Sequence, residues 1–280
     1  MLSTIAAGLA ALAAAGGLLL PGLYRDNLWV TSAWRGNDLV TLAVAVPLLL
    51  GASIAARGSR RALLVQLGML AYLVYGYAFY LFGAAFNRFF LVYVAIFSLS
   101  TVALLFAAHG ADVEAVAREF RSRTPARLVA GWLLLTGGGL GAAWVAQCLE
   151  SAIAGTIPRV VEDSGHPTGI VFALDLSWLV PAFLLAGLWL WRRRPWGFVL
   201  GAIVSIKGAT YTLALAASSV VAARAGVAGA AAEIPLWLSL SGVSLLACAL
   251  LLGNMRPAQE LHPTTSRAQG LRLYPKGGLS

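Results

Sequence analysis

Lys207 lies in "VSIKGATY", inside one of the most apolar regions of the 280-residue chain. A charge at the centre of a bilayer costs at least ~2.5–3.5 kcal/mol, so a lysine placed there calls for a partner, water or a ligand. Its ammonium offers three donors and a point charge. Two carboxylates are placed to answer it: Asp175 in "ALDLSWLVP" and Asp38 in "RGNDLVTLAV". Tyr72 and Tyr75 are three residues apart and share a helix face, and Lys207, Thr210 and Tyr211 share a face by the same spacing. Asn87 and Arg88 occupy a short polar turn after "FGAAF". Together Lys207, Asp175, Asp38, Tyr75, Tyr72, Tyr211, Arg88 and Asn87 are the expected binding or ion-relay residues of an amphiphilic pocket.

Other chemistries lack their residues. Glu162 and His166 are four apart, but no further ligand follows at a metal-binding spacing, so no metal and no cofactor are expected. Gly137, Gly138, Gly139 and Gly141 fall in an apolar helix and suit close packing rather than phosphate. Ser98 and Ser100 have no base near them in sequence. Cys148 and Cys248 read as small apolar residues at different depths.

These residues must be positioned by membrane helices. The chain is 60% hydrophobic and 11% charged, where a soluble domain is about a quarter charged. Eight apolar segments of spanning length can be marked: 2–20, 39–56, 62–86, 89–108, 126–149, 170–191, 196–220 and 234–252. No ten-residue alternation of a barrel occurs, and helices satisfy their own backbone in lipid. The expected fold is an all-α polytopic membrane protein with eight transmembrane helices in one domain, 1–255. The first helix lacks the basic n-region of a cleaved signal and is expected to be retained.

The arginines orient the chain. Arg57, Arg60, Arg61, Arg118, Arg121, Arg123, Arg127, Arg192, Arg193, Arg194, Arg256, Arg267, Arg272 and Lys276 follow the even-numbered helices, whereas Arg25, Arg35, Arg88, Arg159 and Arg224 are on the other side. The positive-inside rule then makes both termini cytoplasmic and implies a multi-pass protein of the inner (plasma) membrane. The net charge of +9 is thus a topology signal, not a nucleic-acid patch. Residues 110–125 form an expected cytoplasmic interfacial segment, with Val113, Val116 and Phe120 facing lipid. Residues 256–280 are expected to be a flexible cytoplasmic tail.

A parallel repeat is also expected, with repeat one about 1–109 and repeat two about 126–255. Asp38, Pro47 and Gly51 match Asp175, Pro181 and Gly187, while "VYGY" and "IKGATY" align Tyr75 with Lys207 and Gly76 with Gly208. "FSLSTVALL" and "LSLSGVSLL" align Ser100 with Ser241. Lys207 is eleven residues past Trp196, which is ~16 Å along a helix and near the midplane of a ~30 Å core. Counted from the Arg193–Arg194 turn, Asp175 lies about 7 Å nearer the outer side. A lysine stem covers most of that gap, so Asp175 is the expected ion-pair partner, with Asp38 approaching from the other half. Asp38 itself follows Gly36–Asn37 and reads as a helix N-cap. The loop "ESAIAGTIPRVVEDSGHPTG", or the segment "YRDNLWVTSAWRGND", is expected across the pocket mouth.

The functional expectation is a carrier or channel for a small solute or ion, contacting the lipid bilayer and a small polar solute, ion or lipid, with no nucleic acid. One alternative is a membrane-embedded enzyme acting on a lipid or prenyl-like substrate from the outer face. Another is a structural or partner-binding membrane subunit.

Overall fold

A computed structural model describes residues 1–256. Every regular element among them is helical. Eight helices are long and apolar enough to cross a membrane: α1 (Leu2–Leu19), α2 (Leu28–Ala55), α3 (Arg60–Phe82), α4 (Phe90–His109), α6 (Ala126–Ala154), α8 (Ile170–Trp191), α9 (Pro195–Arg224) and α10 (Ala230–Leu252). Two shorter helices, α5 (Val113–Glu119) and α7 (Arg159–Ser164), sit in connections. The chain is therefore a multi-pass α-helical protein whose apolar faces need lipid. The expected tail lies outside the described residues apart from Arg256.

Helices α3 and α9 form the middle of the bundle. Over their most apolar 18 residues, 72% and 67% are buried, against 17% for α10 at the edge. Helix α9 packs on α2, α3, α8 and α10. One core gathers residues of α1–α4, the other residues of α5, α6 and α8–α10. Each central helix crosses over: Ile206 of α9 enters the first core and Leu64 and Leu67 of α3 enter the second. Lipid tails are as apolar as leucine, so tight packing is what joins such helices. Gly36 shows it: a Cβ there would collide with the backbone of Ser218 on α9.

The second span starts earlier than the hydropathy indicates. Asn27, not Asp38, caps it, its Oδ1 accepting from Val30 N at 2.9 Å. The stretch "LWVTSAWRGND" is helical in spite of its polarity, with one face turned into the bundle, where Ser32 and Asp38 are 2% and 1% exposed, while Arg35 is exposed. Asp38 is thus an interior helical residue, and the N-cap expectation is corrected. The same holds for Asp175, which lies five residues past the start of α8.

Helices α2 and α8 each contain one π-helical turn, at Thr41–Ala45 and Asp175–Leu179. Each turn ends two residues before a proline, Pro47 or Pro181. Proline removes one i→i−4 hydrogen bond and crowds the carbonyl one turn back, which the wider turn relieves.

The expected lipid-facing segment is also corrected. Val116 and Phe120 are buried at 1% and 7%, and Phe120 stacks on Phe198 of α9 with ring centroids 4.6 Å apart. Arg193 covers the same Phe198 ring and donates to the carbonyls of Thr124 and Ser122. Helix α5 therefore plugs the arginine-rich end of the bundle instead of lying on lipid. The chain after α10 is tied there too: Arg121 N bonds Asn254 O, and Arg256 N bonds Glu119 O. Gln66 reaches Ser3 and Ser53 at the same end. Both ends of the described chain thus lie at the arginine-rich end.

Candidate functional site

Helices α3 and α9 bring Tyr75, Lys207 and Tyr211 together. Lys207 is 4% exposed. Its Nζ lies over the Tyr75 ring, 3.4 Å from the centroid, and over the Tyr211 ring at 4.3 Å. The two rings meet edge to face at 4.9 Å. Aromatic faces carry negative potential, so they hold the ammonium without neutralising it. Lys207 makes no hydrogen bond and no ion pair among the described residues.

Asp175 is close by but is not the direct partner expected. The Tyr75 hydroxyl donates to its Oδ1, and the Trp144 indole N–H donates to its Oδ2 at 2.7 Å. Tyr75 therefore stands between the two charges, its face to the lysine and its hydroxyl to the carboxylate. Trp144, on α6, carries no charge and lies far away in sequence. The signal for it was that a buried indole N–H wants an acceptor.

Asp38 belongs to a second cluster. Its Oδ2 accepts from the Tyr24 hydroxyl at 2.5 Å and its Oδ1 from the Tyr80 hydroxyl at 2.8 Å. Asn37 Nδ2 donates to Tyr80 Oη at 3.1 Å, and Tyr72 donates to Asn37 Oδ1 at 3.0 Å. Thr41 Oγ1 lies 2.9 Å from the Tyr72 hydroxyl. A continuous chain of polar groups thus runs from Tyr24, ahead of α2, to Thr41 in the π-turn. Burial first, and then the Asp38 charge, push the Tyr24 phenol upward, so it remains a proton donor. Gly17 makes room for this pair, since a Cβ there would fall on the Asp38 carboxylate and the Tyr24 hydroxyl. A tyrosine in an apolar helix is usually packing, which hides Tyr80 in the sequence, and Tyr24 is hidden because it lies in the connection before α2.

Arg88 stands apart from both clusters, whereas Asn87 lies beside Tyr93, whose ring packs on Tyr80 of the Asp38 cluster at 5.0 Å. Asn87 is buried but serves its own turn, donating to Ala85 O at 3.3 Å and accepting from Phe89 N at 2.9 Å. Arg88 is exposed. Asp26 holds this turn to the bundle by accepting from Ala85 N and from the Trp34 indole.

Between the clusters, at the end opposite the arginines, lies a cavity of ≈ 160 Å³. Tyr211, Gly76 and Phe79 line it toward Lys207, and Asn37 toward the Asp38 network. Val160, Ser164 and His166 of the α7 loop also line it. The loop is fastened there by Asn27 Nδ2, which donates to Asp163 O at 2.9 Å and Ser164 O at 3.1 Å. His166 Nε2 is buried with no hydrogen-bond partner among the described residues. Comparison with protein-family models, with curated proteins and with solved structures finds no match to this chain. The chemistry must therefore be read from the geometry. Among the described residues no three His, Cys, Asp or Glu side chains lie close enough to hold a metal. The arrangement offers an unneutralised cation, a carboxylate clamped by two neutral donors, and a small apolar cavity bounded by Tyr211.

Proposed function

We propose that the protein is a carrier or channel for a small solute or ion, with its site at the α3–α9 contact. The observation that carries this reading is Lys207: a deeply buried ammonium that, among the described residues, has no ion pair and no hydrogen bond and lies over the Tyr75 and Tyr211 rings. A lysine serving as structural glue would be expected to spend its donors on acceptors. Here the donors are left for a ligand or an ion. The cavity beyond Tyr211 is the approach, and movement of that ring would open it to Lys207. Asp175 would take the opposite charge of a zwitterion or accept a relayed proton.

The proposed duplication agrees with this. Tyr75 and Lys207, aligned by the repeat, touch each other, as equivalent residues beside a pseudo-twofold axis must. The π-turns precede Pro47 and Pro181 at the same spacing. In that register Thr41, and not Asp38 as in the sequence alignment, corresponds to Asp175. Many carriers place their site between repeats and beside irregular helical turns. The proposed orientation has the arginine-rich end in the cytoplasm, following the positive-inside rule.

The test is uptake by proteoliposomes across a panel of amino acids, small carboxylates, amines and inorganic ions. The proposal expects at least one flux above that of empty liposomes, lowered at least tenfold by Asp175→Asn. Wild-type protein that moves none of the panel would overturn it.

A further inference from the structure

At the arginine-rich end, a groove of ≈ 620 Å³ opens between the α2–α3 turn, the α4–α5 turn and the chain after α10. Arg57, Arg60, Arg61 and Arg256 line it, and among the described residues its lining holds two carboxylates, Asp112 and Glu119. Its acids are already engaged. Glu119 accepts from Arg60 at 2.5 Å, and Asp112 caps α5 by accepting from Ala115 N at 2.9 Å. Ser59 is spent on capping α3. Arg61 donates one nitrogen to the Met255 carbonyl, which is neutral, so its charge is uncompensated. The side chains of Arg57 and Arg256 are exposed and have no hydrogen-bond or ion-pair partner among the described residues.

The groove therefore holds an excess of positive charge in planar, fork-shaped donors, the form that suits phosphate oxygens. Its depth in the protein says which phosphate. It lies where α2 and α4 end, the level at which lipid headgroups meet a bundle. About one turn back along the helices that end at the groove, Ile54 on α2 and Leu105 and Phe106 on α4 are 79%, 64% and 67% exposed, apolar side chains on which acyl chains can lie. A free anion would use the arginines and leave those side chains unused. We infer that this groove is a binding site for the phosphate headgroup of an anionic phospholipid. It is separate from the Lys207 site and does not depend on the function proposed for it.

The test uses the full chain in nanodiscs and native mass spectrometry of retained lipid. One set of discs contains phosphatidylcholine alone, and another phosphatidylcholine with one-fifth phosphatidylglycerol. Wild-type protein should retain phosphatidylglycerol above its share of the disc. Arg57→Gln/Arg256→Gln should lower that enrichment on the order of tenfold, as expected for two arginines at a charged surface. Arg192→Gln/Arg194→Gln removes the same charge from another exposed turn and should leave the enrichment intact. Inorganic phosphate at millimolar concentration should not displace the lipid. Equal losses in both double variants would overturn the proposal, since the attraction would then be general. Phosphatidylglycerol retained no more than its share of the disc, with inorganic phosphate bound to the wild type instead, would overturn it in favour of a free anion.

Discussion

Tyr75 does two jobs at once, and they can be separated. Its ring faces Lys207, and its hydroxyl donates to Asp175. Tyr75→Phe keeps the ring and loses the hydrogen bond, which costs about 1 kcal/mol or somewhat more. Tyr75→Leu loses both and should cost a further ~1–2 kcal/mol, because the cation–π contact is desolvated. Thermal unfolding in detergent should rank wild type above Phe and Phe above Leu. Equal melting of the two variants would mean that the ring does not hold the ammonium. That Lys207 and Asp175 lie near one another was legible in the sequence, because residue counts from a turn convert directly into ångströms. The direct partner of Lys207 was not. Counting gives height along a helix but not rotation about it, and rotation puts an aromatic ring between Lys207 and Asp175. Asp38 was recognised as special for the wrong reason: its neighbours Gly36 and Asn37 resemble a helix start, yet Gly36 is there to let α9 approach.

At the scale of the helices, close approach and capping decide the geometry. Gly36→Ala places a methyl group against the Ser218 backbone, and relieving the collision should cost at least ~1–3 kcal/mol. Gly51→Ala, on the same helix with open space around it, should be neutral or slightly stabilising. Detergent unfolding of the two variants checks this, and equal effects would contradict the α2–α9 contact. Asn27 offers a second dissection, since it caps α2 and fastens the α7 loop. Asn27→Asp keeps the acceptor for Val30 N but loses the amide donors to Asp163 O and Ser164 O. It should speed hydrogen exchange in Arg159–Ser164 while α2 stays protected; Asn27→Ala should loosen both. Unchanged exchange in α7 would show that Asn27 does not hold the loop. The spans themselves were readable because lipid demands long apolar runs. The start of α2 was not, since a polar stretch buried against other helices looks like a loop to any measure of hydropathy. Helix α5 misled in the opposite way: its apolar stripe of Val116 and Phe120 is real, but Phe198 covers it instead of lipid.

The whole molecule is a bundle with two polar clusters, one beside α3 and α9 and one along α2, and a cavity between them. If the chain carries solute or ions, Lys207 is the charge that the translocated species must meet. The decisive measurement is flux through proteoliposomes containing wild type or Lys207→Met, for whichever solute or ion the wild type moves, with each protein's melting temperature recorded. Methionine keeps most of the stem volume and removes the charge. The account predicts that flux falls to the empty-liposome level while melting stays within a few degrees of wild type. Flux that persists in Lys207→Met at the wild-type rate would contradict it and leave Lys207 as a packing residue between two helices.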